Sequence, residues 1–201
     1  MKAVIFIDVQ KDFIDGTLRN KKAIEVTPKI VDFAKECVDA YCNDATSYIK
    51  LYATRDTHEK TKFNYFFEGD RREAEIVSGY LSTLEGRKLP VEHCIEGTDG
   101  WMIDNRLMEV LDGKCTFVNK PTFGSFDLAE IIAEDFEDKD LNEIVLCGFV
   151  TDICLLSNAL LLRAKFPNTK ITVMKDLCAG TTDENHEAAL KVMQNCQVEV
   201  A

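Results

Sequence analysis

No stretch of this chain approaches the roughly 20 consecutive apolar residues that a membrane-spanning helix needs, so a membrane is not an expected partner. No two cysteines have the C-x-x-C spacing of a zinc or dithiol redox motif. Basic residues are in deficit, 24 against 35 acidic ones, for a formal net charge of -11. That balance repels a phosphate backbone and argues against nucleic acid as a partner. Low-complexity tracts, internal repeats and interdomain linkers are all missing. Histidine is scarce, with three in the chain, so a histidine close to an acid is worth following.

What is present fits one large globular unit. The chain has 201 residues, 46% hydrophobic and 29% charged, enough to bury a substantial core in a single domain spanning 1–201. There are eight cysteines. Met1-Lys2 leads directly into "AVIFIDV" without a cleavage-site pattern, and Cys115 and Cys147 lie in apolar, strand-like runs. Reduced thiols and a cytoplasmic protein are therefore expected.

Short apolar runs alternate with longer amphipathic ones. Strands are predicted at 2–9, 47–55, 115–120, 143–149, 169–176 and 197–201. Helices are predicted at 26–42, 126–135, 152–165 and 183–195, the last with Asp183 as its N-cap. This alternation predicts a three-layer α/β/α sandwich on a mostly parallel six-stranded sheet. Ligands bind such sheets beyond the carboxyl ends of the strands. Asp8, Asp56, His58, Lys120, Cys154 and Asp176 all sit at predicted strand ends. Residues 57–101 break the alternation and read as a long functional loop or lid, with a short helix over 69–81 as one option.

Taken singly, Asp8 reads as a loop-stabilising carboxylate and Lys120 as a solvated lysine. Cys154 changes the weighting. It falls at the start of a helix in "GFVTDIC", where backbone N–H groups favour a thiolate of lowered pKa. Asp8 would accept its proton, and Lys120 would hold both groups by charge. Asp56 and His58, two apart, with His93 in "LPVEHC", offer a donor set for zinc, iron or manganese, and Glu85 could add an oxygen.

The segments "VIFIDVQKDF", "YATRDTH", "LPVEHCIEGTDGW", "VNKPTFGSF" and "LCGFVTDICLLSNALLLR" together resemble the isochorismatase-like cysteine hydrolases, and among them the nicotinamidase branch. The resemblance runs over nearly the whole chain. It implies an Asp8–Lys120–Cys154 triad and a cis peptide at Val150–Thr151. It also implies oxyanion donors from the N–H groups of Thr151 and Cys154, and an aromatic, Phe13, on the substrate ring. A divalent metal, zinc before iron or manganese, would be held by Asp56, His58 and His93, with Glu85 as a further ligand. The implied reaction is hydrolysis of a small amide, nicotinamide first, in a homo-oligomer. Another amide, an N-carbamoyl compound or isochorismate is the alternative on the same scaffold, and a non-catalytic binding protein the alternative from another class. The chain departs from the branch at Thr57 and Glu59, where Trp and Pro are usual, and at Leu89, where an aromatic is usual.

Overall fold

The computed structural model describes residues 1–43, 48–68 and 71–201. Its centre is a six-stranded parallel sheet of β1 (Lys2–Ile7), β2 (Ile49–Asp56), β5 (Cys115–Lys120), β6 (Glu143–Phe149), β7 (Lys170–Ala179) and β8 (Glu199–Val200), ordered β5-β2-β1-β6-β7-β8. The inner strands are apolar along their length because both faces are covered. Ala3 to Ile7 of β1 and Ile144 to Phe149 of β6 are buried throughout. After the short α1 (Lys11–Ile14), helices α2 (Lys21–Asn43) and α4 (Asn105–Leu111) pack against each other, as do α5 (Phe126–Asp135), α6 (Leu156–Lys165) and α7 (Asp183–Asn195) in sequence. This is the expected three-layer sandwich. β1 pairs with β2 on one side and β6 on the other, so the winding direction reverses at β1 and opens a crevice beyond its carboxyl end.

Several boundaries differ from expectation. The strand expected at 47–55 begins at Ile49, and Ser47 lies outside the described residues. The helix expected at 26–42 begins earlier, with Pro28 inside it: Asn20 Oδ1 accepts from the N–H groups of Lys22 and Ala23, and α2 starts at Lys21. Thr182, not Asp183, caps α7, its hydroxyl accepting from Asn185 N. The two neighbours are both good capping types, and backbone geometry selects the first. Asp176 does not end a strand, because β7 continues to Ala179.

The largest correction lies in 57–101. Where a functional loop or lid was expected, with a short helix over 69–81 as one option, the chain forms an antiparallel hairpin of β3 (Lys62–Glu68) and β4 (Arg71–Ser78) outside the main sheet. Phe63, Tyr65 and Phe67 alternate along β3 and oppose Ile76, Ala74 and Arg72, the period-two pattern of a strand. The Arg72 guanidinium stacks 4.2 Å from the Tyr65 ring centroid. Every residue of β3 is exposed, so no core burial announces this element in the sequence. Beyond the hairpin come a 3₁₀ turn (Tyr80–Ser82) and α3 (Leu84–Lys88). The Thr83 hydroxyl caps α3 by accepting from Gly86 N.

Two close approaches position the functional end of the sheet. Gly148, at φ +119°, lies so near β1 that a Cβ there would sit 2.1 Å from the Ile7 carbonyl oxygen. Asp8 follows β1 with φ +47°, and its N–H donates to Thr54 Oγ1 at 3.1 Å.

Candidate active site and metal centre

The residues singled out at strand ends converge, Asp176 excepted. It is exposed on the bulged part of β7. Asp8 leaves β1, Asp56 ends β2, and Lys120 ends β5 as the register partner of Asp56. Lys120 Nζ lies 2.6 Å from Asp8 Oδ2 and 3.5 Å from both Asp56 Oδ1 and Cys154 Sγ. Its side chain is fully shielded from water. Burial alone would discharge this lysine, but the acidic groups around it, Asp8 first, outweigh it and hold its pKa above the usual value. Burial raises the Asp8 carboxyl, while Lys120 pulls it back and Asp56 adds to the rise. Thr54 Oγ1 donates to Asp8 Oδ1 at 2.6 Å. Oδ2 faces the Lys120 ammonium at 2.6 Å, and its second lone pair is available to the adjacent thiol.

Cys154 lies in a π-helical turn, Thr151–Leu155, that leads into α6. The expectation of a lowered thiol pKa does not survive. Burial pushes it well above the ordinary value, Lys120 opposes, and Asp8 and Asp56 add to the rise. Desolvation in this closed corner exceeds what the helix terminus returns. The resting group is therefore a thiol beside the Lys120 ammonium and the Asp8 carboxyl group. The cis peptide also moves by one residue, to Phe149–Val150. Val150 is the extended residue capping the π turn, so the bond expected to be cis, Val150–Thr151, already leads into helical backbone.

A second cluster adjoins the first. One ligand atom each from Asp56, His58, Glu85 and His93 lie within 4.8 Å of one another. His58 Nε2 is 3.0 Å from Asp56 Oδ2 and 3.6 Å from Glu85 Oε1. His93 Nε2 is 3.5 Å from Asp56 Oδ2 and 3.7 Å from Glu85 Oε1. His93 Nδ1 donates to the Val91 carbonyl at 2.9 Å, which fixes the tautomer and turns a lone pair on Nε2 inward. Two imidazoles and two carboxylates fit a divalent metal ion of the zinc, iron or manganese type. His93 reaches His58 because His58 N–H donates to the Cys94 carbonyl and Glu96 N–H to the His58 carbonyl, a short parallel bridge beyond β2.

Four supporting residues were not anticipated. Gln10 donates to the Asp56 carbonyl at 2.9 Å and accepts from Asp56 N at 2.8 Å, gripping the backbone of a metal-facing residue. Thr54 orients Asp8. Tyr80 is buried, with its ring centroid 4.8 Å from that of His58 and 5.1 Å from that of His93, and its hydroxyl donates to the Leu89 carbonyl. Asn158 donates to the Cys154 carbonyl at 2.8 Å. The one sequence signal was polarity inside otherwise apolar or aromatic contexts, as with Gln10 just past β1.

Both clusters open into one cavity of about 1260 Å³, lined by Cys154, Asp56, His58, Glu85, His93 and Phe13 among others. Phe13 is buried and meets His93 edge-on at 5.9 Å between ring centroids. Val150 also lines the cavity, and Thr151 is buried with its hydroxyl 2.9 Å from His186 Nδ1.

The comparisons agree with this geometry. Residues 2–201 match the model of the isochorismatase domain family. A nicotinamidase of Schizosaccharomyces pombe is 24% identical, over 98% of this chain and 91% of its own. The nicotinamidase/pyrazinamidase of Bacillus subtilis superposes with a TM-score of 0.74 at 23% identity, covering 100% of this chain and 98% of that one. The pyrazinamidase of Pyrococcus horikoshii, solved in complex with zinc, superposes at 0.72 with 20% identity, covering 100% and 98%. With a family match over essentially its whole length and a parallel sheet that gathers these side chains at its carboxyl end, the chain belongs to the isochorismatase family.

Proposed function

We propose that this protein is a cysteine-dependent amide hydrolase of the nicotinamidase type, converting a small carboxamide to its acid and ammonia. The observation that carries this is the meeting of Asp8, Lys120 and Cys154 in one buried corner, 2.6 and 3.5 Å from the shared ammonium, against the four-residue donor cluster. Residues 1–201 act as one catalytic domain, with 57–101 supplying three of the four donors, His58, Glu85 and His93, and part of the cavity wall.

In the reaction, the Cys154 thiol passes its proton to Asp8 as sulfur bonds to the carboxamide carbon. Lys120 stays charged and steadies the carboxylate before the transfer and the developing thiolate during it. The N–H groups of Thr151 and Cys154 receive the oxyanion. Protonated Asp8 then delivers its proton to the departing nitrogen as the C–N bond breaks, which releases ammonia and leaves a thioester. Water, deprotonated by Asp8, attacks that thioester, and the C–S bond breaks to return the thiol and free the acid. Asp56, His58, His93 and Glu85 would hold a divalent ion, zinc in our reading, and it would supply Lewis acidity towards a substrate nitrogen or water. Phe13 lies against the substrate ring. We further infer a cytoplasmic enzyme that forms homo-oligomers, the association being supported by the aromatic side chains that the β3–β4 hairpin leaves open to solvent.

The direct test is ammonia release from nicotinamide. Cys154→Ala should abolish it while the folded structure persists by circular dichroism. Turnover retained in that variant would refute the assignment.

A further inference from the structure

Amide hydrolysis at Cys154 uses only the floor of the cavity. At about 1260 Å³ it exceeds the roughly 300–1,000 Å³ of pockets that enclose drug-sized ligands, and a single pyridine ring leaves most of it empty. The mouth has its own chemistry. Arg19, Lys21 and Lys22 line it where α2 begins, and Lys88 lines it at the end of α3. Against these four cations the rim sets two carboxylates, Glu25 and Asp183, and Glu25 is engaged by Lys22 at 3.6 Å. Arg19, Lys21 and Lys88 are exposed, and their side chains have no ionic partner among the described residues. This reverses the balance of a chain in which acids outnumber bases 35 to 24. The remaining carboxylates of the cavity, Asp56 and Glu85, belong to the metal cluster.

Between floor and rim the wall is apolar. Leu84, Leu89 and Phe123 line the cavity with 67%, 40% and 43% of their surface open. Large side chains left exposed around a functional cleft mark a surface that a ligand covers. A cleft whose rim carries one sign of charge focuses the field on ligands of the opposite sign.

We propose that the preferred substrate is an amide whose apolar body ends, away from the scissile carboxamide, in an anionic group, a carboxylate or a phosphate, received by Arg19, Lys21 and Lys88. This rests on amide hydrolysis at Cys154. It deepens that reading by naming a substrate larger than nicotinamide and of opposite charge to the rim.

The test uses the full chain loaded with zinc and four amides that share one aryl-alkyl body. One ends in a carboxylate, one in a phosphate, and the others in the matching methyl ester and neutral alcohol. The expected result is a kcat/KM at least about tenfold higher for an anionic form than for its neutral counterpart. That ratio should fall as salt rises and collapse to about one in the triple variant Arg19→Gln, Lys21→Gln, Lys88→Gln. A preference confined to the phosphate or to the carboxylate supports the proposal and identifies the anion. Equal turnover of charged and neutral forms, or a ratio unchanged in the triple variant, overturns it. Calorimetric binding of the same four compounds to Cys154→Ala protein gives the answer independently of turnover. If nothing is hydrolysed yet the anionic forms still bind more tightly through these three residues, the hydrolase reading fails and the anion site stands. If the binding preference is also missing, both fail.

Discussion

The ammonium of Lys120 stands 2.6 Å from the Asp8 carboxylate, and neither side chain reaches solvent. Each charge is tolerated in that corner because of the other, and removing one strands its partner. Lys120→Met should therefore lower the unfolding free energy by about 3–5 kcal/mol in urea titrations. The double variant Asp8→Asn, Lys120→Met should recover part of that loss. A single variant as stable as the parent would show that the pair contributes nothing to folding.

Thr54 is the second support of Asp8, donating to Oδ1 at 2.6 Å. Thr54→Val keeps the shape and removes the donor. It should cost roughly 1.5–3 kcal/mol of stability, as for a hydrogen bond to a charged group. The carboxylate would also lose its orientation towards the thiol, so kcat should fall more than KM rises in steady-state assays.

The thiol of Cys154 is held protonated by its burial and by the carboxylates nearby. Iodoacetamide at pH 7 should therefore modify exposed Cys196 before Cys154. The rate at Cys154 should climb steadily as the pH is raised, since a raised thiol pKa places the reactive thiolate on the alkaline side. Peptide mapping by mass spectrometry follows both sites. Preferential alkylation of Cys154 at pH 7 would instead reveal a preformed thiolate.

For the donor cluster, adding zinc to chelator-treated protein should raise the melting temperature, with about 2.7 kcal/mol of stabilisation at a hundredfold excess over Kd. His58→Ala and His93→Ala should abolish most of that response, and Glu85→Gln should weaken it. A shift that persists in His58→Ala would place the ion elsewhere.

Gly148→Ala should be among the most damaging single substitutions in the chain. The new methyl would meet the Ile7 carbonyl at 2.1 Å on a backbone with φ +119°. A loss of at least about 2 kcal/mol is expected, readable as a lowered urea midpoint.

Much of the site was legible because its chemistry lies on short segments next to apolar strands. Asp8, Lys120 and Cys154 each follow a run that reads as a buried strand, and the parallel-sheet rule brings such positions together. Asp56 and His58 sit two apart in "RDTH", and His93 in "VEHC" could be matched to them by motif. What stayed hidden depends on three-dimensional surroundings. The raised thiol pKa of Cys154 is a matter of desolvation, which position at a helix start does not reveal. Gln10, Thr54 and Tyr80 are uncharged and act through partners 46, 46 and 22 positions away or at similar remove. The β3–β4 hairpin was missed because neither of its faces packs into the core, and Phe66 blurs the alternation of Phe63, Tyr65 and Phe67. The shifts from Asp183 to Thr182 and from Val150–Thr151 to Phe149–Val150 are each a single position, decided by local backbone angles.

Asp56 and Lys120 are register partners on the last rung between β2 and β5, and β5 is an outer strand that, among the described residues, joins the sheet through β2. Sliding β5 by one residue would turn Lys120 to the opposite face of the sheet. The thiol and the acid would then lose their shared ammonium, and the donor cluster its neighbouring charge, at the same moment. A molecule with that fault would remain compact and helical, yet inert. Specific activity in this protein is thus also a gauge of strand alignment, and it can distinguish correctly from incorrectly assembled molecules that circular dichroism would count as the same.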